Sequence, residues 1–106
     1  MLEKKVVVMD DARPGLEHEL LRCMSGFSIV QLGTPRAGCR AIQNANGSIG
    51  NMIVAVGDMS GVGEADKAAL LQNLWLKLGV EPTKVIDFNS KISPMHLAAL
   101  IELCAA

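Results

Sequence analysis

The hydrophobic residues of this chain fall into short apolar runs separated by longer segments with helical spacing. The runs lie at residues 5–9, 28–32, 52–56 and 84–88, and each is interpreted as a strand. The length and β-branched residues of the first run favour a strand buried on both faces, and the third run is fully apolar. After each run, apolar side chains recur at every third or fourth position, which predicts an amphipathic helix. The predicted order of elements is therefore βαβαβαβα.

Prolines and hydroxyl side chains mark the expected beginnings of these helices. Thr34-Pro35 and Ser93-Pro94 each place an N-cap residue before a proline that suits the first helical turn. Pro14 predicts the beginning of the first helix in the same way. The third helix is expected to bury one apolar face, made of Ala68, Leu71, Leu74, Trp75 and Leu78.

The connections between the strands predict the fold. Each is long enough for the right-handed crossover that joins parallel strands. We therefore expect one α/β domain over residues 1–106, a flavodoxin-like three-layer sandwich. Its four-stranded, mostly parallel sheet should have the order 2-1-3-4, with helices on both faces. Val7, Val54 and Ile86 should be central to the core.

Composition narrows the classes of function. The formal net charge is −1 and the aromatic residues are Phe27, Trp75 and Phe88, so we expect neither nucleic acid nor a membrane as partner. No apolar run is long enough to span a bilayer, and we expect no signal peptide. Three widely spaced cysteines, at positions 23, 39 and 104, are expected to be buried thiols in a reducing cytoplasm.

Chemistry is expected where the strands end, because ligands of open α/β sheets bind beyond the carboxyl ends of the strands. Asp10 and Asp11 follow the first strand and could hold Mg²⁺ weakly, or Asp11 could cap the first helix while Asp10 is solvated. The glycine-rich loop after the third strand, residues 57–63, could cradle a phosphate with its N–H groups, or could be only a tight turn. The predicted ligand-binding residues are Gly57, Asp58, Ser60, Gly61, Gly63 and Lys91.

Several short motifs resemble the receiver domains of response regulators. Residues 6–11 resemble the first receiver strand with its terminal acid pair, and residues 51–56 resemble the strand that carries the phosphate-accepting aspartate. Residues 59–62 resemble the Met-Pro-Gly-Met turn that follows that strand. Residues 91–94 resemble the Lys-Pro entry into the last helix. The resemblance implies a flavodoxin-like fold and a role in signal transduction.

The chain also departs from the receiver pattern. Val56 stands where the resemblance implies the phosphate-accepting aspartate. The segment between Val56 and Lys91 is shorter than in receivers by roughly one strand and one helix, since such a unit takes about 15–20 residues. The Thr/Ser switch residue belongs to the missing strand, and Ser90 is only a loose counterpart.

The main functional hypothesis is a non-catalytic regulatory or protein-interaction module, similar to a receiver without its phosphate switch. The fourth strand would be an exposed edge, which favours a protein partner or a homodimer. One alternative is a small enzyme or ligand-binding domain that uses Asp10, Asp58 and the glycine loop on a phosphorylated ligand. Another is a working receiver in which Asp58 replaces the lost acceptor. No cofactor is expected beyond weakly bound Mg²⁺.

Overall fold

A computed structural model describes residues 4–45, 52–59 and 61–105 and shows strands that alternate with helices. A 3-10 turn, Pro82–Lys84, precedes the last strand. The elements in chain order are β1 (Lys4–Met9), α1 (Leu16–Cys23), β2 (Phe27–Leu32), α2 (Pro35–Gln43), β3 (Met52–Val56), α3 (Glu64–Leu76), β4 (Val85–Asp87) and α4 (Pro94–Ala105).

The four strands form one parallel sheet in the order β2-β1-β3-β4, which confirms the predicted topology. Val7 of β1 pairs with Val30 of β2 on one side and Val54 of β3 on the other. On the far side of β3, Val56 pairs with Asp87. The carboxyl ends of β1, β3 and β4 therefore meet at one edge of the sheet.

Helices cover both faces of the sheet, so the core has two halves. On one face, α1 and α4 pack on side chains that include Val8, Ala55 and Ile86. On the other face, α2 and α3 pack on side chains that include Val7 and Val54. Val7, Val54 and Ile86 are all buried, as predicted, and the flavodoxin-like sandwich is the fold of this chain.

Two predicted helix caps are confirmed, and one helix start was wrong. The Thr34 hydroxyl accepts a hydrogen bond from the Ala37 N–H at 3.2 Å, and the Ser93 hydroxyl accepts one from the His96 N–H at 3.1 Å. The first helix begins after Gly15, whose φ of 81° is a left-handed conformation. Pro14 therefore lies in the preceding turn, because Gly15 turns the chain before the helix starts.

The predicted apolar face of α3 was wrong in part. Leu70 and Leu74, which are one turn apart, are its buried residues. Ala68 is exposed and Trp75 is 55% exposed. Leu71 and Leu78 of the predicted face are partly buried against the same core, so the covered side of α3 is turned toward Leu70 and away from Ala68 and Trp75.

The cysteines do not form the expected set of buried thiols. Cys23 is exposed, whereas Cys39 and Cys104 are partly buried. Cys23 is the last residue of α1 and lies off the face that buries Leu16 and Leu20, which its apolar neighbours in the sequence did not reveal. Burial raises the pKa of the Cys39 thiol, so its reactive thiolate form is disfavoured. None of the helices in the described residues is both long and apolar enough to cross a membrane.

Candidate functional site at the carboxyl edge of the sheet

Asp10 lies at the centre of the site, and its charged side chain is buried. It directly follows β1 and is only 1% exposed. Its Oδ1 accepts a hydrogen bond from the Ala12 N–H at 2.8 Å, and its Oδ2 accepts one from the Ser90 hydroxyl at 2.8 Å. Both carboxylate oxygens thus have partners within the protein, which is what a buried acid needs to be tolerated.

Gly57 closes the space beside this carboxylate. Its N–H donates to the Met9 carbonyl at 2.9 Å, so the ladder between β1 and β3 continues one step beyond β3. A Cβ atom at position 57 would lie 2.6 Å from Asp10 Oδ2 and 2.7 Å from Cζ of Phe88. Glycine is therefore required here for a close approach.

The loop between β4 and α4 is attached to both neighbouring loops. The Ser90 N–H donates to Asp58 Oδ2 at 3.0 Å, beside the bond from the Ser90 hydroxyl to Asp10. The Arg13 guanidinium, from the loop after β1, donates to the Ser90 carbonyl at 3.2 Å and also to the Ile92 carbonyl. Three loops from distant parts of the chain are thereby joined at one point.

Gln31 of β2 supports the loop after β1 from the other side. Its amide nitrogen donates to the carbonyls of Asp10 and Arg13, at 2.8 Å each. Its amide oxygen accepts the Glu17 N–H at 3.0 Å, at the beginning of α1. These bonds fix the backbone that carries Asp10.

The acid pair is divided between two environments. Asp11 is exposed, whereas Asp10 is buried. The alternative in which Asp11 caps the first helix and Asp10 is solvated is wrong, because Gly15 is the N-cap of α1 and Asp10 is enclosed by Gly57 and Ser90. Within residues 4–45, 52–59 and 61–105, no three His, Cys, Asp or Glu side chains are grouped to hold a metal ion.

A cleft of about 350 Å³ lies beside the glycine-rich loop, between α3 and the ends of β3 and β4. Lys67 projects from α3 into this region, with only 17% of its side chain exposed. Its ammonium lies 2.5 Å from Asp87 Oδ1 and 3.7 Å from Asp58 Oδ1. Glu64 also lines the cleft, so the cleft has three acidic residues and one lysine. This charge favours a cationic group over a phosphate.

The structure brings together only some of the predicted ligand-binding residues. Asp58 and Gly63 line the cleft, and Gly57 faces Asp10. Gly61 has a φ of 76°, which is the turn conformation expected of a glycine. Lys91 is exposed and is not among the described residues lining the cleft. Ser60 lies outside the described residues.

Sequence reasoning missed Lys67 and Arg13. Lys67 lies four residues after the end of the glycine loop, where a helical side chain can point back toward the strand ends. That position was the available signal. Nothing in the sequence marks Arg13, because its carbonyl partners at Ser90 and Ile92 are 77 and 79 residues away.

Comparison with known proteins gave no match: no protein-family model matches the chain, and neither does any curated protein or solved structure.

Proposed function

We propose that this chain is a non-catalytic regulatory or protein-interaction module, similar to a receiver domain that lacks the aspartyl-phosphate switch. On this proposal it acts in the cytoplasm by binding a protein partner or a second copy of itself. Phosphorylation of an aspartate has no part in its regulation.

The observation that carries the proposal is the composition of the end of β3. Val56 is fully buried and packs in the core with Met9 and Met59. The next residue, Gly57, is the one whose side-chain position faces Asp10. Neither residue has a side-chain oxygen that could accept a phosphoryl group, so the end of β3 supplies no phosphate-accepting carboxylate.

Asp58 is the nearest carboxylate in sequence that could replace the acceptor. Its Oδ2 accepts the Ser90 N–H, and its Oδ1 lies 3.7 Å from the Lys67 ammonium. These contacts give Asp58 a structural role that joins two loops. Its side chain is 53% exposed, which is unlike the enclosed position of Asp10.

Asp10 supports the same proposal. Its oxygens accept hydrogen bonds from Ala12 and Ser90, and a metal ion that bound Oδ2 would have to compete with the Ser90 hydroxyl. Any remaining Mg²⁺ site at Asp10 and Asp11 would accordingly be weak, because a third carboxylate at the end of β3 is missing.

The proposal is tested by incubating the protein with acetyl phosphate and Mg²⁺ and recording the intact mass. We expect no phosphate adduct. The Asp58→Asn variant is the matched control, since it removes the one carboxylate in the loop after β3. A stoichiometric adduct in the unmodified chain that is lost in Asp58→Asn would refute the proposal and establish a working receiver.

A further inference from the structure

We propose that the groove between α3 and β4 binds an apolar segment of a partner protein that carries a lysine or arginine at one end. This α3–β4 groove is a cavity of about 350 Å³ lined by Leu71, Gln72, Trp75, Pro82, Val85 and Asp87. The inference rests on the proposed function, because it names the surface and the chemistry of the partner.

The groove is apolar and lies at the edge of the sheet. Leu71 and Val85 are partly buried, and Trp75, the only tryptophan of the chain, is 55% exposed. The lining combines these side chains with Pro82 of the 3-10 turn. A large exposed aromatic beside aliphatic side chains is typical of the centre of a protein interface.

The sheet topology explains why this groove is open. β4 is the last strand in the order β2-β1-β3-β4, so no described strand pairs with its outer side. α3 is the only helix among the described residues that lines the groove. A further apolar element would pack there at the usual interaxial distance of about 8–10 Å from α3.

The carboxylates next to the α3–β4 groove indicate that the partner segment carries a basic side chain. The groove adjoins the cleft beside the glycine loop, because Leu71 and Asp87 line both. In that cleft, Asp58 and Asp87 contact Lys67, and Glu64 is a further lining residue, so the carboxylates outnumber the ammonium by three to one. A partner segment with apolar side chains over Trp75 and a basic side chain toward Glu64 complements both ends, whereas an acidic or phosphorylated segment is repelled.

The test uses two capped synthetic peptides with the same leucine-rich face and no tryptophan. One carries lysines at one end, and the other carries glutamates at the same positions. Binding is followed by the fluorescence of Trp75 and by amide shifts in NMR spectra of the whole chain. We expect the lysine peptide to bind about tenfold more tightly at low salt, the difference that one or two favourable surface charge pairs supply. The amide shifts that the lysine peptide causes should lie in α3 and β4.

Matched variants separate the groove from non-specific binding. Trp75→Ala should weaken binding of the lysine peptide, measured by NMR. Leu103→Ala should not, because Leu103 is an exposed apolar residue of α4 that does not line the groove. Glu64→Gln should reduce the preference for lysine over glutamate, and Glu102→Gln on α4 should leave it unchanged. The amide spectrum of each variant verifies that it is folded.

Equal binding of the two peptides, no binding of either, or shifts confined to other surfaces would overturn the inference. So would a dimer, found by sedimentation, in which a second copy covers Trp75. These outcomes are distinct from failure of the proposed function. A phosphate adduct in the mass measurement would refute the proposed function even if the lysine peptide binds the groove. Absence of peptide binding would refute the groove proposal and would leave the mass measurement unchanged.

Discussion

Gly57→Ala is the most informative change to the site, because a single methyl group there enters a space that the structure fills completely. The added Cβ would lie 2.6 Å from Asp10 Oδ2, 2.8 Å from Asp10 Cγ and 2.7 Å from Cζ of Phe88. Asp10 is 1% exposed and Phe88 is 4% exposed, so neither can move into solvent without opening the core. The variant must therefore displace buried atoms.

The expected loss of stability combines two costs and one small gain. Overpacking a buried site typically costs about 1–3 kcal/mol. Moving the Asp10 carboxylate away from Ser90 would leave a buried oxygen without its donor, which costs about 1–3 kcal/mol. Replacing glycine stabilises by about 0.4–1 kcal/mol through the unfolded chain. We expect a net loss of about 2–4 kcal/mol, since the two costs share one displacement and do not add fully.

Urea denaturation followed by circular dichroism measures this loss directly, with the slope of the transition serving to verify two-state behaviour. Gly63→Ala is the matched control. A Cβ at position 63 meets no heavy atom within 4 Å. Gly63 is the N-cap of α3, where replacing glycine by alanine should lower the free energy of unfolding by less than about 1 kcal/mol. If Gly57→Ala were as stable as Gly63→Ala, the close packing of Gly57 on Asp10 would be refuted.

Two further predictions concern Asp10. Ser90→Ala should lower the free energy of unfolding in urea by about 1–3 kcal/mol, because Asp10 Oδ2 loses its hydroxyl donor. Ser25→Ala, in an exposed loop, should lower it by less than about 0.5 kcal/mol. Equal losses in the two variants would contradict the hydrogen bond between Ser90 and Asp10. Mg²⁺ titration followed by NMR should shift the amides of Asp10 and Asp11 only at millimolar metal. Saturation at micromolar Mg²⁺ would show that the acid pair holds metal without a third carboxylate.

The sequence predicted the sheet well for a physical reason. In a parallel sheet covered on both faces, every residue of a central strand is buried, so residues 52–56 appear as an uninterrupted apolar run. The crossover length then indicates parallel pairing, and the observed order β2-β1-β3-β4 is the one expected of flavodoxin-like sheets. Local capping was also readable at Thr34 and Ser93, because a cap depends on residues close in sequence.

The burial of Asp10 and the exposure of Trp75 could not be predicted from the sequence. Asp10 is buried because Ser90, 80 residues away, and Gly57 enclose it, and no local pattern records such a contact. Trp75 was assigned to the buried face of α3 on spacing alone, but which stripe of a helix is covered depends on what packs beside it. Beside Trp75 the sheet ends at β4, so the tryptophan stays largely exposed.

The central claim is that the end of β3 cannot carry a phosphoryl group, and beryllofluoride, which mimics an aspartyl phosphate, tests it most directly. The whole chain is mixed with beryllium, fluoride and Mg²⁺, and the fluorine NMR spectrum is recorded together with the amide spectrum. We expect no fluorine signal from a protein-bound species and no amide shifts at Gly57 or Asp58 beyond those that Mg²⁺ alone produces. A bound fluorine signal that disappears in Asp58→Asn would contradict the account, because it would show that Asp58 accepts the phosphate mimic.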